Sequence, residues 1–360
     1  MALLHDGKDV IDKEYKEFTA KMWAKGHSFF LYLSDNADSL SSCCRLRNVI
    51  TDNTFSFTNG LTGVMTGSVN VITLNLNRII QDYCRKAGNR TIEALKTPEF
   101  EAYFNDILSR VAKYHIAYKT LVYEVEKAGM LSASNAGYIK IEKLYSTIGI
   151  NGFNEAAEYL GCACRFYDSQ YHEFNHIILG LIDRKIKLLN MADKKFLFNC
   201  EFVPAETLGS KNYKWDKEDG YEVDDDGNRL YNSYFFKTDD PTVGVLEKLQ
   251  LHGREFTEKL SGGVGCHINL EDHLTKAQYT MLIDKAIEFG TSYFTFNVPN
   301  CQCDKCGHIE KKHFDECPEC GSHEVTDWSR IIGYLRPIKH YDEARAYEAS
   351  RRVYTKKDNV

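Results

Sequence analysis

The sequence lacks an excess of basic residues. Its 51 aspartates and glutamates outnumber 45 lysines and arginines, for a net charge of −6. Without a basic footprint, nucleic acid is a poor main partner. There is no apolar run near the roughly 20 residues that a membrane span needs. The opening MALLHDGKDVIDKEYKEF has no apolar signal core and is acidic where a transit peptide is basic. The expectation is a cytoplasmic protein with no membrane partner. There is no internal repeat and no low-complexity tract. Nor do the twelve cysteines form a disulfide framework, which belongs to small secreted domains. With 43% hydrophobic and 27% charged residues, 360 positions suffice for a substantial buried core.

What is there alternates. Residues 8–26 read as a helix ended by Gly26, followed by the strand SFFLYLS and a polar loop, DNADSLSSCCRLRN. VNVITLNLNRII reads as a strand turning into a helix, and TPEF supplies a Thr-Pro-Glu helix start within the helical stretch 89–129. Strands are expected in YIKIEKLYSTIGI, KKFLFNCEF and TSYFTFNVP, and helices in NGFNEAAEYLG, 166–194, 241–260 and 276–290. Residues 210–240, rich in Lys, Asp, Tyr and Asn, read as a surface excursion. Such alternation indicates an α/β architecture. One boundary stands out near Asn300, dividing residues 1–299 from a cysteine-rich module at 300–360.

That module carries Cys303-x2-Cys306-x10-Cys317-x2-Cys320. Each knuckle can aim two thiolates at one ion, and two knuckles complete the tetrahedron that structural zinc prefers. Gly307 and Gly321 follow the second cysteine of each pair, where a tight turn needs them. With all four positions filled by protein, the zinc is expected to be structural. Cys301 reads as a bystander, and His308, His313 and His323 as solvated loop residues. Cys43-Cys44 lies beside Arg45 and Arg47. It reads either as a reactive thiol whose pKa arginine lowers, or as two small buried apolar residues, the commoner outcome. VPAETLGS and SGGVG could each present N–H groups to an anion, a weak signal on its own. Gly333, in RIIGYLR, packs nothing within an apolar, β-prone run.

Taken in order, SCCRLRN, GSVNVITLNLNRI, STIGINGFNEAAEYLG, VPAETL, SGGVGCHINL, the four-cysteine ribbon and SRIIGYLRP resemble the anaerobic (class III) ribonucleotide reductases, a glycyl radical enzyme family. The resemblance implies the second half of a ten-stranded α/β barrel with a finger loop, followed by a small zinc-ribbon and glycyl radical domain. It places the glycyl radical on Gly333. The finger-loop cysteine matches Cys44, directly before the arginine, rather than Cys43. Its thiyl radical would abstract the 3′-hydrogen of a ribonucleotide, a ribonucleoside triphosphate by preference, and the 2′-hydroxyl would leave as water. Asn75 matches a polar position near the substrate ribose. Glu206 and Thr207 match a substrate-binding loop, and Gly262 and Gly263 a loop near the radical site.

The implied partners are a radical S-adenosylmethionine, iron–sulfur activase and the ribonucleotide, and the complete enzyme is expected to be a homodimer. The family's chain is about twice as long, with a regulatory nucleotide-binding cone and the first half of the barrel before the finger loop. The expectation is therefore a C-terminal fragment or subunit that needs the missing N-terminal half. Two rivals are a pyruvate formate-lyase-like acyltransferase, which lacks the ribbon, and a non-catalytic zinc-ribbon binding protein. The second leaves CCRLRN and IIGYLRP unexplained.

Overall fold

The computed structural model describes residues 1–35, 39–42, 46–49, 55–56, 60–61, 67–203, 207–311, 313–330 and 335–360. The chain forms two compact units. One comprises Met1–Asp35, Pro204–Arg254 and Gly265–Val360, and the other Asn36–Val203 and Glu255–Val264. Residues 300–360 thus fall in the first unit together with both earlier segments.

The second unit is built on a parallel sheet in the order Ser68–Asn75, Tyr145–Asn151, Phe198–Phe202. The central strand, YSTIGIN, is buried along nearly its whole length, as expected of a parallel strand covered on both faces. The crossover helix Pro98–Lys127 starts where Thr97 accepts the Phe100 N–H at 3.2 Å and Pro98 takes the first position. Its buried stripe of Phe100, Phe104, Leu108, Val111 and His115 recurs at helical spacing. A polar ladder crosses the sheet. Ser68 Oγ lies 2.6 Å from Thr147 Oγ1, which donates to Asn199 Oδ1 at 2.7 Å.

Gly149 leaves no room for a side chain. A Cβ there would meet Thr73 Oγ1 and would sit 2.6 Å from Val203 Cγ2. The SGGVG stretch runs along the outer edge of the Phe198–Phe202 strand. Gly262 donates to the Cys200 carbonyl at 2.7 Å, and Cys200 N–H reaches Ser261 Oγ at 3.1 Å. The expected polar loop at 35–48 contains paired strands instead, Ser39–Ser42 against Leu46–Val49.

In the first unit a mixed sheet runs in the order Ala2–Leu4, Leu31–Ser34, Tyr293–Asn297, Cys266–Asn269. The middle pair is antiparallel and the outer pairs parallel. Trp23, from the helix Lys13–Ala24, is buried against it, stacked on Phe29 at 5.0 Å and edge-on to Phe296 at 4.9 Å. The helix Lys276–Phe289 opens with a capping box between Thr275 and Gln278 and closes at Gly290, φ +75°.

The surface reading of 210–240 is corrected here. After the helix Leu208–Glu218, Leu230, Tyr231, Phe235 and Phe236 are buried. Their polar neighbours satisfy one another, as when Tyr231 donates to Asp216 at 2.8 Å and Asn228 to Thr238 at 2.9 Å. Polar composition was therefore no guide to exposure. No helix among the described residues is long and apolar enough to cross a membrane.

Two predictions follow from the parallel sheet. Gly149→Ala should destabilise the chain by about 1–3 kcal/mol through overpacking, read by urea denaturation. Burial pushes His115 down to about 4. The unfolded state then binds the extra proton first, so stability should fall as pH drops from about 6.5 toward 4, by up to about 3 kcal/mol. His115→Phe should flatten that part of the stability–pH curve.

Candidate functional site

The cysteine-rich module is a four-stranded antiparallel sheet in the order Ile309–Glu310, Asn300–Cys303, Val325–Arg330, Leu335–Pro337. Two like knuckles project from it. In the first, Cys303 N–H bonds the His308 carbonyl at 2.8 Å and Gly307 N–H the Cys303 carbonyl at 3.0 Å. The second repeats this with Cys317 to Ser322 and Gly321 to Cys317, both at 2.9 Å. Gly307 and Gly321 adopt φ of +77° and +65°, the left-handed turn anticipated for them.

The four sulfurs lie within 4.8 Å of one another. Cys303 Sγ and Cys320 Sγ are 3.7 Å apart, and Cys306 Sγ and Cys317 Sγ 3.6 Å. A tetrahedral thiolate shell about 2.3 Å from its ion has edges of about 3.8 Å, so the four sulfurs fit one metal ion. The local charge agrees. The Cys306 and Lys305 backbone N–H groups draw Cys303 down to about 6. Cys306, although its His308 N–H contact favours the thiolate, is pushed up to about 12 by lost solvation and the neighbouring sulfurs. A cation at the centre would hold all four as thiolates.

Cys301, His313 and Asp327 also approach one another, but in a different way. His313 Nδ1 is 2.9 Å from an Asp327 oxygen and 4.0 Å from Cys301 Sγ, so the nitrogen nearest the sulfur is already in a hydrogen bond. Nε2 reaches Asp315 at 3.1 Å. Burial pushes the Cys301 thiol up to about 11, so it stays neutral. This is an ion-paired histidine beside a buried thiol.

Beyond the knuckles, the strand Val325–Arg330 pairs with Leu335–Pro337, Arg330 opposite Leu335. Residues 331–334, which include Gly333, connect these partners and lie outside the described residues. The strand end before them is held firmly. Arg330 N–H bonds Asn297 Oδ1 at 3.1 Å, and its guanidinium bonds Ser28 Oγ at 2.6 Å and lies 5.1 Å over Phe30. Arg352 donates to the Arg330 carbonyl at 2.6 Å, and Tyr341 to the Ser329 carbonyl at 2.9 Å. Sequence reasoning passed over Arg345, Glu348 and Arg352. Their (i, i+3) and (i, i+4) spacing in RAYEASRR is the signal that could have found them.

The remaining candidates divide. Cys44, with Cys43, and Glu206 lie outside the described residues. Asn75 ends its strand level with Asn151, at the carboxyl edge of the parallel sheet, where α/β proteins bind ligands. Its side chain also caps the next helix, accepting Arg78 N–H at 3.3 Å. Asn151, buried at the same edge, was not singled out, although the strand–Asn-Gly–helix order of INGFNEAA marks it. Thr207 is exposed at the start of Leu208–Glu218. Gly262 has a structural reason of its own, since a Cβ there would come within 2.8 Å of the Cys200 carbonyl. Gly263 adopts φ +87°.

Comparison with known proteins fits this arrangement. The family model of anaerobic ribonucleoside-triphosphate reductase matches residues 3–354. A solved anaerobic ribonucleotide reductase superposes with a TM-score of 0.80 at 24% identity, covering 99% of this chain and 54% of its own. The Thermotoga maritima anaerobic ribonucleotide reductase, in complex with dATP and CTP, gives 0.77 at 24% identity, over 96% and 54%. The fold is thus the α/β fold of these enzymes, and the chain spans about half the length of the solved structures it matches. No curated protein matches it. The chain belongs to the anaerobic ribonucleoside-triphosphate reductase family.

Proposed function

We propose that the chain is the radical-bearing part of an enzyme that reduces ribonucleotides to deoxyribonucleotides without oxygen. The observation that carries this reading is the family match over nearly the whole chain, together with a four-thiol centre whose sheet leads directly to Gly333. In this reading residues 1–299 supply the second half of a ten-stranded barrel and its finger loop, and 300–360 the radical module. An N-terminal half completes the substrate site, and the complete enzyme is a homodimer.

Gly333 is the residue on which an activase of the radical S-adenosylmethionine class leaves an unpaired electron. A radical at a glycine Cα is shared with the adjoining amide nitrogen and carbonyl and meets no Cβ. It takes a hydrogen atom from Cys44. The Cys44 thiyl then abstracts the 3′-hydrogen of the ribonucleotide, and the 2′-hydroxyl leaves as water. A two-electron donor, formate or a thioredoxin-like dithiol, closes the balance, and Cys44 returns the hydrogen to C3′. Asn75 hydrogen-bonds the ribose. Glu206 and Thr207 hold the rest of the nucleotide, a triphosphate as the family description says. Gly262 and Gly263 border the radical site. Cys303, Cys306, Cys317 and Cys320 hold zinc, which supplies cross-linking and no chemistry, because all four positions are protein sulfurs.

Electron spin resonance after anaerobic activation tests the reading, with a glycine-centred signal expected from the wild type and none from Gly333→Ala. On exposure to air, dioxygen should add to the radical and cut the chain at residue 333, giving a small fragment of residues 334–360 by mass spectrometry. An organic radical without that cut places the spin elsewhere. In the completed enzyme Cys44→Ser should retain the Gly333 signal and lose turnover, whereas Cys43→Ser should keep measurable turnover.

For the metal, one zinc per chain is expected. Cys317→Ser should lose it and render residues 300–326 sensitive to protease while the parallel sheet stays folded. Full zinc content in that variant would remove Cys317 from the ligand set.

A further inference from the structure

The strand that leads into Gly333 ends in an unusual buried cluster. Arg352 is almost fully buried and gives Nε and Nη2 to the two oxygens of Glu348, at 2.8 and 2.7 Å. Its Nη1 turns the other way, to the Arg330 carbonyl at 2.6 Å and Ser329 Oγ at 3.3 Å. One guanidinium therefore joins the C-terminal helix Glu343–Arg351 to the last residues before the 331–334 connection. Glu348 is itself fixed from further directions, by Arg345 Nη1 at 3.3 Å and Thr238 Oγ1 at 3.3 Å. Asn297 accepts the Arg330 N–H and donates to Ser329 Oγ at 3.2 Å, the same oxygen that Arg352 reaches. The peptide groups on both sides of Arg330 are thus bonded to side chains whose own rotamers are held.

A buried ion pair of this kind contributes little to net stability, because desolvation offsets most of the attraction. What it does supply is geometry. A bidentate guanidinium–carboxylate pair permits few orientations, and the third N–H is aimed accordingly. Packing alone would hold a strand end of Ser329 and Arg330 less tightly. Hydrogen-atom transfer is steep in distance, so a radical carrier needs such aim more than a structural strand does.

We infer that Arg352, oriented by Glu348, is a positioning residue for Gly333, fixing the strand end that leads into residues 331–334. The inference rests on the proposed radical role of Gly333, and its test separates the two. In the whole chain, Arg352→Ala should speed amide exchange across residues 328–337 about tenfold or more while residues 300–326 keep their protection and their metal. After activation of the completed enzyme, turnover per Gly333 spin should fall about tenfold or more, and Arg352→Lys should restore part of both. Unchanged exchange overturns the inference. So does faster exchange with unchanged turnover per spin. If Arg352→Ala does not fold, Glu348→Gln, which keeps the shape and removes the charge that orients Arg352, is read in the same way. A wild type that forms no glycine-centred radical refutes the function while exchange still decides whether Arg352 anchors the strand.

Discussion

One guanidinium, Arg352, lies where the C-terminal helix, the end of the strand Val325–Arg330 and the loop containing Thr238 meet. Burial alone would raise the Glu348 carboxyl, but the Arg352 and Arg345 charges hold it below the usual carboxylate range. The same carboxylate raises Arg352 against the pull of burial. Each group therefore favours the charged form of the other. Removing one partner would strand the other, at a cost of about 3–5 kcal/mol. The buried course of residues 228–238 follows from this, because Thr238 must reach Glu348 and Asn228 must reach Thr238.

The other end of the same strand is fixed by a different physical means. Val325 pairs with Cys303, one of the four thiols, so the strand begins at the four-thiol cluster and ends at the ion pair. The four-sulfur geometry suits a metal cross-link, which small modules of few strands commonly use in place of a large core. The cysteines determine where the strand starts. The arginine and glutamate determine where it ends. Residues 331–334 depart from the determined end.

How much of this was legible in the sequence depended on the range of the interaction. The knuckles could be read because their ligands are local, two residues apart, and their glycines report positive φ directly. The helix start at Thr97 and the helical span 276–290, which closes at Gly290, were legible for the same reason. The parallel sheet showed in its β-branched strands, but not the mixed order Ala2–Leu4, Leu31–Ser34, Tyr293–Asn297, which pairs residues as distant in sequence as Tyr32 and Tyr293 (a separation set by topology, not propensity). The stretch 228–238 was misread because composition counts polar groups without showing whether they satisfy one another. Glu348 and Arg352 were passed over because helical spacing does not tell a buried pair from an exposed one, and their link to the Arg330 carbonyl is a tertiary contact.

The glycines show the same lesson at the scale of single residues. Gly307 and Gly321 are needed for their backbone angle, and any L-residue there would be strained. Gly149 and Gly262 have ordinary angles and are needed for space, since neighbouring atoms occupy the place of a Cβ. Neither reason is visible from composition, and the two call for different evidence: a turn signal for the first, a tertiary neighbour for the second. Gly333 has a third reason in the proposed chemistry, the reactivity of its Cα–H bond and the spread of spin into two amides. That reason leaves no trace in packing, which is why its setting, a clamped strand following a thiolate cluster, carries the argument for it.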